Sequence, residues 1–360
     1  MRQASSLADR FDPRSNGLNL LRLCLALEVL VWHAYALRGS DWLPDPLRNF
    51  LAAVGVDGFF VLSGFLISRS WLRRPDLGRF LLARARRILP GLWFCLAVVA
   101  FVIAPLTVGS TGHAAIEYWL ANAKVYGGQW DVAGGPSGLP VSHVWNGSLW
   151  SLPYEASCYF GVAVVGVLGV LTRRVALVSL ATFWMFAVTF DYLGLSNEPA
   201  LVPLTVRIGL MYSLGVAMFL YADRIPIRPT LVLGSVVLLA IGATTADYRP
   251  VAAPALAYLL MYIGIRTGSH RRLVVTTDLS YGSYLFGFPA QQALVLHGLG
   301  TLGWAGFFGA SVLAVLPLAA ASWFLVERPA LRFRSGSRRV AATTPTRHSS
   351  GSSAGVSRQK

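Results

Sequence analysis

The chain has 360 residues, is 55% hydrophobic and only 13% charged, and carries a formal charge of +15. Its mean hydropathy is +0.56; a soluble domain would be nearer a quarter charged, so a soluble enzyme is excluded. The alternating segments of about ten residues that build a membrane β-barrel are absent, which leaves an all-α, polytopic integral membrane protein.

In chain order, residues 1–16 form a polar N-terminal segment. Ten apolar runs follow, near 17–37, 50–70, 88–108, 150–171, 175–193, 202–221, 229–246, 250–265, 278–297 and 302–326. Each approaches the roughly 20 residues a spanning helix needs. Pro250, Pro254 and Pro289 interrupt the eighth and ninth runs. The first run is too long for a signal peptide, and no small-x-small cleavage site follows it. Residues 17–334 therefore read as one transmembrane domain. Residues 335–360, rich in Ser, Thr, Gly and Arg, read as a disordered basic tail. The longest hydrophilic insertion, 109–149, reads as an outer loop carrying His113, Trp130, His143 and Trp145.

Charge sets the orientation. With the N-terminus inside, the cytoplasmic segments hold 25 Lys and Arg residues, and the outer segments hold 4: Arg38, Arg48, Lys124 and Arg249. Both termini are expected to be cytoplasmic. Topology accounts for most of the basicity, so no nucleic-acid partner is needed. Cys24, Cys95 and Cys158 fall inside the runs with neither zinc spacing nor a disulfide framework, and read as small hydrophobes.

Ionisable residues inside membrane helices are costly and point to function by default. Arg22 and His33 lie eleven residues apart in the first run, which on a helix puts them on one face about 16 Å apart. Counting from the expected outer ends places His33, Asp57, Glu155 and Arg207 at similar depth, in the outer third. Structural ion pairs or snorkelling side chains account for such residues equally well. His33 can exchange a proton near neutrality, and Asp57 or Glu155 would orient it, as carboxylates do in base–orienter pairs. Glu28 points about 140° away from His33 on the same helix and is assigned no role. Toward the inside, Arg84 and Arg87 share a helix face at i and i+3. Two guanidinium forks on one face suit a phosphate-bearing ligand, with Arg22 at its entrance, although a positive-inside flank looks much the same. Trp150, Ser151 and Tyr154 suit either an acceptor entrance or an interfacial aromatic belt.

The pattern Arg22-x10-His33, followed by Gly55-Val-Asp57-Gly-Phe-Phe-Val-Leu-Ser63-Gly64-Phe-Leu-Ile67, resembles the membrane acyltransferase family 3. Four further motifs agree, in the same order: Arg84-x-x-Arg87-Ile-x-Pro90, Ser148-Leu-Trp150-Ser151-Leu-Pro-Tyr-Glu155, Leu279-Ser-Tyr281-Gly-Ser-Tyr284-Leu and Glu327-Arg328-Pro329. The resemblance implies a ten-helix enzyme of the bacterial inner membrane. It would move an acyl group, usually acetyl, from cytoplasmic acyl-CoA to an acceptor on the far side, most often a sugar of an O-antigen, exopolysaccharide or similar glycan. It implies an essential role for His33, acyl-CoA handling by Arg22, Arg84 and Arg87, and no metal. Many members carry a His where this chain has Gly287, so His33 would act without it.

These residues fit direct transfer, with His33 as general base on an acceptor hydroxyl, and equally an acyl-His intermediate. Arg207 is grouped with the substrate-binding residues. A transporter would also place charges at mid-membrane, but typically in two related halves, and the sequence has no such repeat.

Overall fold

The computed structural model describes residues 5–126, 128–268, 270 and 274–332. The expected tail, 335–360, lies outside the described residues. Each predicted apolar run contains a helix: α1 Leu18–Ala36, α2 Asp45–Arg73, α3 Leu77–Val98, α4 Leu152–Val167, α5 Arg173–Tyr192, α6 Leu201–Leu220, α7 Pro229–Gly242, α8 Arg249–Gly268, α9 Ser280–Leu296 and α10 Trp304–Ala321. α3 continues through a π turn, Val99–Ile103, to Val108, and α10 through a π turn, Ser322–Glu327, to Arg332. Among the described residues there is no strand, only two isolated bridges. Among the described residues, seven helices are long and apolar enough to cross a membrane. α4, α7 and α9, with 16, 14 and 17 residues, are shorter.

Local chemistry sets the ends. α2 begins after Pro44 with Pro46 in its first turn, where a missing N–H costs nothing. α3 begins at Leu77, eleven residues before the predicted run, because the Asp76 carboxylate accepts from the Arg79 N–H and caps it. Arg84 and Arg87 therefore stand within a helix rather than on a flank.

α2 and α6 form the centre, where 61% and 67% of their most apolar windows are buried; α5, at 11%, is peripheral. Two glycines make that centre possible. A Cβ on Gly64 would sit 2.2 Å from the Tyr212 carbonyl oxygen, and one on Gly215 would sit 2.1 Å from that of Val61. Small residues let membrane helices approach this closely. Gly215→Ala must push α2 off α6, and overpacking of this kind costs about 1–3 kcal/mol. A fall of about 5 °C in the thermal midpoint in detergent is expected, and an unchanged midpoint would refute the close crossing.

The predicted outer loop is the main departure. Its first part forms a surface helix, Gly112–Asn122. Its last part turns inward, with Trp145, Asn146 and Ser148 buried, and ends in a 3-10 turn, Gly147–Ser151, that feeds α4. Irregular backbone at such depth is tolerated only where protein or an aqueous cavity surrounds it. Here α9 supplies the partners: the Gln292 side-chain amide donates to the Val141 and Val144 carbonyls at 2.7 and 2.9 Å.

Candidate active site

α1 is unbroken from Leu18 to Ala36, and it meets α9 at both of its functional positions. Arg22 approaches Asp278, just before α9, at 3.4 Å. His33 packs edge-to-face on Phe288 of α9, with ring centres 5.1 Å apart. The two helices thus run parallel, and the face shared by Arg22 and His33 looks toward α9.

At the arginine end the three guanidinium groups differ. Arg87 pairs with Asp278 at 2.7 Å and with Glu327 at 3.3 Å, and lies over the Tyr281 ring at 5.3 Å. Asp278 also accepts from the backbone and hydroxyl of Ser280, and Glu327 accepts from the Ser322 hydroxyl at 2.8 Å. The π turn of α10 contains Ser322 and ends on Glu327, so a local helix irregularity presents a carboxylate to α3. Arg87, expected as one of the two phosphate forks, and Arg22, expected at their entrance, are both paired with carboxylates. Arg84 is the exception: among the described residues it makes no ion pair. It sits over the rings of Phe80 and Tyr159 at 5.7 and 5.8 Å, and its Nε is buried without a partner.

Above this cluster lies a cavity of about 40 Å³ lined by Arg22, Arg87, Glu155, Ser151, Tyr281 and Tyr284 among others. That is room for roughly three waters. Tyr284 donates to the Ser148 carbonyl at 3.0 Å, and its oxygen lies 2.6 Å from the Ser151 hydroxyl. Glu155 accepts a hydrogen bond from Tyr159. This corrects its expected place. The buried 3-10 turn carries the start of α4 into the bundle, so counting residues from the end of the apolar run put Glu155 level with His33, whereas it lies at the Arg22 cavity. It joins Arg22 and Arg87 at the cavity and is not hydrogen-bonded to His33.

Asp57 is corrected as well. It accepts from the Tyr248 hydroxyl at 2.6 Å and pairs with Arg249 at 2.7 Å, and Arg249 pairs in turn with Asp247 at 2.8 Å. Arg249, expected on the outer surface, is 1% exposed. Among the described residues the only His–carboxylate pair is His113–Glu117, on the surface helix. No carboxylate therefore orients His33: its Nδ1 is buried without a hydrogen-bond partner, and ring packing holds it. Arg207 makes no ion pair among the described residues, and its Nε is buried without a partner. Trp150, on the turn that carries Ser151, packs edge-to-face at 6.0 Å against Tyr154 in the first turn of α4.

A histidine in an apolar contact at one end of a helix face, and an arginine-rich end with a cavity beside it at the other, suit group transfer from an anionic donor. A family model described as an acyltransferase domain matches residues 15–325. This chain belongs to that acyltransferase family. One relative, from Shigella phage Sf6 and named O-acetyl transferase, is 30% identical, with 88% of this chain and 96% of the relative covered. Another, Nodulation protein 10 of Rhizobium leguminosarum bv. viciae, is 28% identical over 89% of this chain and 94% of its own length. No solved structure matches the chain.

The chain is thus a multi-pass membrane acyltransferase. Two residues of its arginine cluster escaped the sequence reading, Asp278 and Glu327. Each adjoins or belongs to a motif, Asp278-Leu279-Ser280 and Glu327-Arg328-Pro329, but their partner Arg87 lies 191 and 240 residues away.

Proposed function

We propose that this acyltransferase takes an acetyl group from acetyl-CoA at the cytoplasmic face of a bacterial inner membrane. It passes the group along α1 to a hydroxyl of a glycan on the far side. The carrying observation is that Arg22 and His33 lie on one unbroken helix, both facing α9, with the cavity opening beside Arg22. The charge bias fits ten spans with both termini inside, α4, α7 and α9 completing the count within the bundle. The name of the phage relative supports acetyl as the group and oxygen as the acceptor atom.

Arg84 is the guanidinium with charge to spare, so it meets the CoA phosphates, while Arg22 and Arg87, fixed by Asp278 and Glu327, shape the passage for the pantetheine arm. At the far end His33 removes the proton from the acceptor hydroxyl, whose oxygen attacks the thioester carbon. The tetrahedral intermediate collapses with release of CoA thiolate, which takes up a proton. Trp150 and Tyr154 offer aromatic faces to a sugar ring.

Arg84 leaves no orphaned carboxylate when removed. Arg84→Ala is therefore expected to raise KM for acetyl-CoA about tenfold with the fold intact, and Arg84→Lys to restore it only in part, since an ammonium lacks the fork. Initial rates against acetyl-CoA concentration check this; an unchanged KM would remove Arg84 from the donor site. For the function as a whole, the surface glycans of wild-type and deletion strains should differ by an acetyl mass increment. Identical glycan masses would contradict the reading.

A further inference from the structure

Among the described residues His33 has no hydrogen-bond partner, and its ring is held by the Phe288 contact. Asn146, 1% exposed, stands at the start of the inward 3-10 turn. Its amide nitrogen donates to the Leu285 carbonyl at 3.0 Å, and its amide oxygen accepts from the Ser148 N–H at 3.0 Å. Leu285 is not an arbitrary acceptor. Four residues later comes Pro289, which has no N–H, so the helix cannot satisfy this carbonyl itself. An open carbonyl inside a membrane bundle is costly. The Cys95 thiol, 3.5 Å away, is a second and weaker donor to it.

The residue after Asn146 carries the consequence. A Cβ on Gly147 would lie 2.5 Å from Cε2 of Phe288, so the turn backbone rests directly on that ring. The same Phe288 ring packs edge-to-face against the His33 ring. Asn146, Gly147, Phe288 and His33 therefore form one continuous line of contact, anchored where Pro289 opens α9.

We propose that Asn146 is a positioning residue: by binding the carbonyl that Pro289 leaves open, it pins the turn so that Gly147 and Phe288 hold the His33 imidazole in its working orientation. The proposal rests on the reading of His33 as the base. It takes the role that sequence reasoning gave to a carboxylate and assigns it to a packed contact.

A purely structural Asn146 would only satisfy the Leu285 carbonyl, and a double variant separates the two roles. Asn146→Ala is expected to lower both the thermal midpoint and turnover. Adding Pro289→Ala supplies a backbone N–H to Leu285, so in the double variant the midpoint recovers. Turnover of [14C]acetyl-CoA with native membrane glycan should stay down by about a hundredfold, the scale of a misplaced catalytic group, with KM for acetyl-CoA within about twofold. Gly147→Ala leaves the Asn146 bonds in place but displaces Phe288, and should lower kcat in the same way. Recovery of turnover together with stability in the double variant, or full turnover in Gly147→Ala, overturns the proposal. An active His33→Ala variant would instead overturn the reading of His33 as base, so the two failures are distinguishable.

Discussion

Replacing His33 with Ala is expected to lower acyl transfer by about a thousandfold while leaving the protein inserted and folded. General-base catalysis contributes about 10²–10⁴ in rate, and no other described histidine is placed to substitute. His113 is on the surface helix, paired with Glu117. The fold should survive because His33 has no hydrogen-bond partner to orphan: its Nδ1 is already unpartnered, and the loss is one edge contact with Phe288. Label transfer from [14C]acetyl-CoA to membrane glycan, with the thermal midpoint in detergent, checks both halves. A variant that collapses on extraction would show that His33 is structural, and one that transfers at the wild-type rate would show that it is not the base.

The second large effect lies at the other end of α1. Asp278 is shared by Arg87 at 2.7 Å and Arg22 at 3.4 Å, and is largely buried. Removing one member of such a network leaves uncompensated buried charge and costs about 3–5 kcal/mol. Asp278→Ala is expected to destabilise the protein by that amount, since Arg22 then loses its ion pair and Arg87 keeps only Glu327. A double-mutant cycle should give a larger coupling of Asp278 to Arg87 than to Arg22, because the first pair is closer and its arginine more buried, 13% against 23% exposed. Equal couplings would contradict the described geometry. The cluster is a fixed frame beside the proposed passage, and Arg84 makes no ion pair among the described residues.

Much of the architecture was legible because it is local. Apolar runs became helices wherever they occurred, and the spacing of Arg22 and His33 on a helix without proline placed them on one face, which both use to meet α9. What was not legible depends on depth and on distant partners. The depth count assumed that every helix begins at the membrane surface. That failed for Glu155, because Asn146 and Gln292 draw the preceding segment into the bundle. The charge count treated Arg249 as an outer flank, although Asp57 and Asp247 together bury it. Arg87 lies 191 residues from Asp278, and no local pattern announces such a pair. Proline was read as a weakness in the ninth run, whereas Pro289 creates the acceptor on which the inward turn docks.

In the proposed function the acyl group enters at the arginine end of α1 and leaves at the histidine end. Sealed vesicles of uniform orientation test it most directly, with [14C]acetyl-CoA supplied only to the face carrying Arg84 and the glycan acceptor confined to the other. The expected result is labelled glycan inside intact vesicles, lost with His33→Ala. Label that appears only when donor and acceptor share one face would contradict transfer along this helix.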